Sequence, residues 1–145
     1  MPASLPVFQD KKGASPLYTF CLGGCLEVVR ALLLAGAELD LQNKGHSPLW
    51  VSCLMGHTEV VRALLSAGAS VDLLTSQGGS PLYAACFEGH LEVVHALLSA
   101  GSVVDLPASL GGSPLHAACY GGHVDVVHAL LAAEAEVDLQ DKEGR

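Results

Sequence analysis

Seven histidines, five cysteines and a serine that recurs before proline are the side chains of this 145-residue chain that could do chemistry. Histidine and thiolate are zinc ligands, paired cysteines form disulfides, and an activated serine is a nucleophile. Their spacing speaks against each role. His57, His90 and His123 follow a glycine once every 33 residues, and Cys21, Cys53, Cys86 and Cys119 recur on almost the same interval. No HExxH, CxxC or paired Cys/His spacing brings ligands together locally. Ser15, Ser47, Ser80 and Ser113 each stand directly before a proline. A hydroxyl repeated in that setting suits a helix cap rather than a single catalytic centre. There is no Gly-x-Ser-x-Gly elbow, and the glycine pairs Gly78-Gly79 and Gly111-Gly112 lack the lysine of a phosphate loop. The residues therefore predict no enzyme, no metal and no cofactor.

The elements that carry these residues repeat as a unit. Ser-Pro-Leu begins at residues 15, 47, 80 and 113, and a Val-Val pair follows at 28, 60, 93 and 126. A fixed period near 33 residues means that each unit packs on its neighbours, as in a stacked solenoid. Within the third unit, Ser80 caps a short helix whose first position is Pro81 and which ends at Gly89. A second helix runs from about residue 91 to residue 100, with Val93, Val94, Leu97 and Leu98 on one apolar stripe, and Gly101 closes it in the left-handed region. Residues 103–112 read as an extended, hairpin-like loop. Neither helix is long enough to stand alone, so stacking is what buries the stripes. On the outer side, Glu27 with Arg30 and Glu59 with Arg62 are spaced to pair, while His95 and His128 occupy the basic slot later as solvated side chains.

The composition suits such a stack. Half the residues are hydrophobic and 15% are charged, which separates the chain from disorder and leaves room for one domain. No run of apolar residues is long enough to span a membrane, and residues 1–12 lack a secretory signal. The net charge is −8, and all the excess acidity falls after residue 62, where ten acidic side chains face two basic ones. Nucleic acid needs the opposite sign, so it is excluded as a partner. The acidity either steers a basic partner or keeps the protein soluble. Neighbouring helices lie about 8–10 Å apart, beyond the reach of a disulfide, so the cysteine column reads as reduced packing residues of a cytoplasmic or nuclear protein. Cys25 stands outside the column as a partly exposed thiol.

The pattern Gly-x-Ser-Pro-Leu-x-x-Ala-Cys-x-x-Gly-His-x-x-Val-Val-x-x-Leu-Leu-x-x-Gly resembles the ankyrin repeat, and the third and fourth units match it nearly throughout. The resemblance implies an all-α solenoid of stacked antiparallel helix pairs with β-hairpin loops at one edge. On this reading residues 1–9 are a stub, residues 10–42 a degenerate edge repeat, and residues 43–74, 75–107 and 108–140 the second to fourth repeats. Residues 141–145 open a fifth repeat, either because the chain is cut from a longer array or because the last hairpin frays. Phe20 stands where later units carry Ser52, Ala85 and Ala118, as an edge repeat tolerates. Glu134 replaces the closing glycine seen as Gly36, Gly68 and Gly101, which loosens that end. The first connecting loop is one residue shorter than the others, which tilts its hairpin. The family's role for the Gly-His histidine is structural, bonding backbone and the next repeat.

The resemblance further implies a protein partner, met by the concave face and the hairpin tips, with the chain a monomer or part of a longer polypeptide. Carried onto this sequence, Leu22, Leu54, Met55, Phe87 and Tyr120 form an apolar ladder beside the Gly-His pairs, with Glu88 next to Phe87. Such a ladder is either contact surface or packing against the adjacent hairpin. Trp50 belongs to a second row with Tyr18, Tyr83 and His116, whose aromatics read as half-buried packing, with Trp50 also a candidate to present its ring edge to a partner. Asn43, Lys44, His46, Ser76, Gln77, Ser109 and Leu110 vary at the hairpins over constant helices, as a reader on a fixed frame would. The expected function is a protein-binding module of a larger adaptor or scaffold. The alternative is a structural spacer with no ligand of its own.

Overall fold

The computed structural model describes residues 13–109 and 112–144, and within them the chain forms eight helices. They are α1 (Pro16–Gly23), α2 (Leu26–Leu34), α3 (Pro48–Met55), α4 (Thr58–Ser66), α5 (Pro81–Glu88), α6 (Leu91–Ser99), α7 (Pro114–Gly121) and α8 (Val124–Ala132). Each odd helix starts the same way. Ser15, Ser47 and Ser80 accept the backbone N–H of Tyr18, Trp50 and Tyr83 at 3.0–3.1 Å, and proline fills the first position, where no N–H is needed. At Ser113 the cap becomes reciprocal, because its own N–H donates to His116 Nδ1 at 3.0 Å. Each odd helix then stops at a left-handed glycine, such as Gly56 at φ 75° and Gly89 at φ 77°.

The helices stack in two layers. α1, α3, α5 and α7 pack in sequence on one another, and α2, α4, α6 and α8 do the same alongside them. A single continuous core runs down the stack, from Leu17 through Leu49, Leu64, Leu82 and Leu97 to Leu130. Burying each of those leucines contributes about 1.5–3 kcal/mol relative to leaving it in water. Histidines pin the layers across the repeat boundaries. His57, His90 and His123 place Nε2 at 3.0 Å from the carbonyl oxygens of Leu22, Leu54 and Phe87 in the preceding unit. The same rings fill the space beside the capping glycines, so a Cβ on Gly24 would stand 2.6 Å from His57 Nδ1.

The acidic residues of the loops also take part in this stacking. Asp40 accepts the Ser70 N–H at 3.1 Å and its hydroxyl at 2.7 Å, and Asp72 accepts the Ser102 hydroxyl at 3.0 Å. Asp105 accepts the Glu136 N–H at 3.2 Å. The signal was present in the period of the aspartates, and some of the acidity is therefore structural. Arg62 likewise ties two units, pairing with Glu59 at 2.7 Å and reaching Glu92 at 3.7 Å. Arg30 pairs with Glu27 at 3.8 Å.

The structure departs from the expected pattern at the loops and at the ends of the stack. The loops form tight turns but, among the described residues, no strand, and the one antiparallel bridge joins Asn43 to His46. A single bridged pair is too short a ladder to make a strand pair. The first turn is closed by reciprocal Asn43–His46 bonds, whereas the later ones are one residue longer and close from Thr75 to Gly79 and from Ala108 to Gly112. Cys119 is exposed while Cys21, Cys53 and Cys86 are buried, because no further helix lies on its side of α7 among the described residues. Val28 is likewise 39% exposed at the other end of the stack, where Val60 and Val93 are buried. Phe20 is 37% exposed, and Glu134 does adopt the left-handed conformation, at φ 69°.

Candidate functional site

The turns and the odd helices enclose a groove of about 560 Å³. Trp50 of α3, Tyr83 and Phe87 of α5, and His116 and Tyr120 of α7 form one wall. The turn residues Thr75, Gln77, Gly79, Ala108, Ser109 and Gly112 form the other, with His46 and Asp141 also in the lining. The register explains the wall. Trp50, Tyr83 and His116 each follow Ser-Pro-Leu, one turn before Leu54, Phe87 and Tyr120, so both rows of a helix face the same side. The turns stay close because each tip touches the next: the Ser76 N–H donates to the Gly45 carbonyl at 3.1 Å, and Gly78 leaves no room for a Cβ beside Ser109.

Chemically the groove is aromatic. Of the seven Phe, Trp and Tyr residues, the four that follow residue 20 all line it. His46 stacks on Trp50 with ring centroids 4.4 Å apart and 11° between planes. Burial, and then the neighbouring Tyr120, push the Tyr83 hydroxyl above its ordinary pKa. Trp50 Nε1 is buried without a hydrogen-bond partner, near the Gly79 end of the groove. Among the described residues no group of three or more His, Cys, Asp or Glu side chains could hold a metal ion. No helix among them is long and apolar enough to cross a membrane.

Of the anticipated contact residues, the structure brings His46, Trp50, Gln77, Phe87, Ser109 and Tyr120 together in this groove. Leu22, Met55, Glu88, Lys44 and Ser76 are exposed outside its lining, and Leu54 and Asn43 are half-buried. Leu110 lies outside the described residues. Tyr83 and His116 were recognised as a row but not as contacts, and Thr75, Gly79, Ala108, Gly112 and Asp141 were missed. Asp141 had a signal. It occupies the turn slot of Thr75 and Ala108, and its carbonyl accepts the Gly144 N–H at 3.0 Å much as that of Thr75 accepts the Gly78 N–H at 2.9 Å.

A family model described as ankyrin repeats (3 copies) matches residues 4–75 and again residues 68–141, which together span most of the chain. The chain belongs to the ankyrin-repeat family. No curated protein matches it. Ankyrin repeats are generally protein–protein interaction modules, and the fold is typically non-catalytic. The ankyrin stack here carries its variable residues where the period is least strict, on the turns and on the exposed ends of α1, α3, α5 and α7.

Proposed function

We propose that this ankyrin stack binds a partner protein along the groove between its turns and its odd helices, as the recognition segment of a larger adaptor or scaffold in the cytoplasm or nucleus. The observation that carries the reading is the gathering of Trp50, Tyr83, Phe87 and Tyr120 on one open groove in a chain so poor in aromatics. Phe87 is 49% exposed and Tyr120 61%, and exposed aromatic clusters are characteristic of contact sites. The ladder beyond the groove, Leu22 and Met55, adds exposed apolar surface on α1 and α3. Replacing Phe87 and Tyr120 together by glutamate removes two such anchors, and truncating one anchor typically costs at least about 2 kcal/mol of binding. Proteins captured from cell extract by the wild-type chain and lost on the folded double variant support the reading. An unchanged set of captured proteins sinks it.

A second reading, a spacer within a longer solenoid, draws support from the outer face of the fourth helix pair. A Cβ on Gly122 would meet nothing within 4 Å, whereas Gly24, Gly56 and Gly89 each hold a histidine of the following unit. Val124 and Val137 are 63% and 67% exposed there. On the spacer reading the glutamate pair changes no binding.

A further inference from the structure

The shape of the groove narrows the occupant further, on the premise that the groove is the binding surface. Its wall repeats from helix to helix, with Trp50 on α3, Tyr83 and Phe87 on α5, and Tyr120 on α7. Packed helices stand about 8–10 Å apart, which sets the distance between these rungs. On the opposite side the turns have already used backbone donors. The Thr75 N–H donates to the Gly79 carbonyl at 2.8 Å, Ser76 to Gly45 at 3.1 Å, Gly79 to the Thr75 hydroxyl at 3.0 Å and Ala108 to Gly112 at 2.7 Å. A partner strand pairs through a row of unpaired N–H and C=O groups, and with these donors spent the groove is a poor strand edge. A helix 10–12 Å across fills roughly 500 Å³ per turn, so the 560 Å³ groove takes about one turn of it. Helix recognition reads anchors spread over two turns. A polyproline II segment fits where these do not. It has three residues per turn and rises about 3.1 Å per residue, a pitch of about 9 Å that matches the rungs. Proline brings carbonyl acceptors without N–H donors, so it asks for no strand edge. Trp50 Nε1, buried beside Gly79 without an acceptor, is a donor for such a carbonyl.

We infer that the groove takes a proline-rich segment of a partner protein in the polyproline II conformation, with every third residue seated on an aromatic rung. The segment crosses the stack from the His46–Trp50 pair, over Tyr83 and Phe87, to Tyr120. Two rung spacings correspond to about six residue steps, so a heptapeptide reaches from the first rung to the third. The aromatic faces pack on the pyrrolidine rings, and a preformed helix has little conformational freedom left to lose on binding.

The test uses three pools of nonapeptides, random except at three fixed positions. The first has proline at positions 2, 5 and 8, which fall on one face of a polyproline II helix. The second has proline at positions 2, 4 and 6, which fall on three faces, and the third has alanine at positions 2, 5 and 8. Each pool is passed over the immobilised chain and retention is quantified by mass spectrometry. Trp50, the sole tryptophan, gives an independent readout by fluorescence for the best-retained peptide. The first pool should be retained about ten-fold better than the alanine pool, because each proline pre-sets the chain and spares ordering entropy. It should also outlast the second pool, whose prolines miss the rungs. Both advantages should fall in Phe87→Ala and in Tyr120→Ala, each checked for fold by circular dichroism. Equal retention of the first and third pools overturns the inference, as does equal retention of the two proline pools. An advantage that survives both substitutions overturns it as well. Equal retention of all three pools that is lost in the Phe87→Glu/Tyr120→Glu variant overturns it too, while leaving the binding groove standing. Retention of no pool also overturns it, and the capture experiment above then decides the groove on its own.

Discussion

Cys21, Cys53 and Cys86 lie inside the stack, and burial pushes the Cys21 and Cys86 thiols up to about 12 and the Cys53 thiol well above its ordinary value. A thiolate in that interior would be a charge without solvent, so the neutral form is favoured and reactivity is suppressed. Cys25 and Cys119 are exposed. At pH 8 a thiol reagent should therefore modify two of the five cysteines quickly and the other three only after unfolding. Rapid labelling of Cys53 would contradict the packing. The same shifts set a pH dependence. The unfolded thiols ionise near 9.0 and the folded ones near 12, so their stabilisation is complete below pH 9 and is lost as the pH rises toward 12. Denaturant titration at pH 8 and pH 10 should show wild type losing about 1 kcal/mol more than Cys86→Ala over that interval.

At the scale of the element, helix termination is where one repeat departs from the rest. Gly36, Gly68 and Gly101 close α2, α4 and α6 at φ 86°, 98° and 90°, a region that costs glycine nothing. Glu134 holds the same place after α8 at φ 69° and bears the Cβ penalty. Glu134→Gly should stabilise the chain by about 0.5–1 kcal/mol, the gain in strain being partly offset by a freer unfolded chain. That amounts to about 2–4 °C in melting temperature, read by circular dichroism. A melting temperature that falls would show that the strain is relieved in some other way. The odd helices show the converse economy: eight residues suffice because serine, proline and glycine mark both ends.

Across the whole molecule, stability is distributed from neighbour to neighbour. Inner units are gripped on two sides, and outer units on one. α4 and α6 each bury three side chains, whereas α2 buries Val29 alone. In a linear array local opening starts at the ends, so amide hydrogen exchange should be slowest in α3 to α6 and fastest in α2 and α8. Uniform protection would mean that the stack opens as one unit. The groove spans the middle units and the fourth unit, so exchange in α7 beside Tyr120 should be faster than in α3 and α5 beside Trp50 and Tyr83.

The period, the helix bounds and the caps are legible in the sequence, because local rules act within a few residues: serine before proline starts a helix, and glycine in the left-handed region stops one. Stacking is legible as well, since helices this short have nowhere else to bury their stripes. The exposed ladder residues Phe87 and Tyr120 are readable from register alone. What lies beside a residue is not. Cys119 and Cys86 share a slot, yet only the presence of a neighbouring helix decides that one is buried and the other open. Asp141 lines the same groove as Tyr120 and Thr75 only because the turns stack beside one another, and the aspartates bond across units at distances set by packing. Burial and encounter are properties of the assembled array, and the chain alone does not contain them.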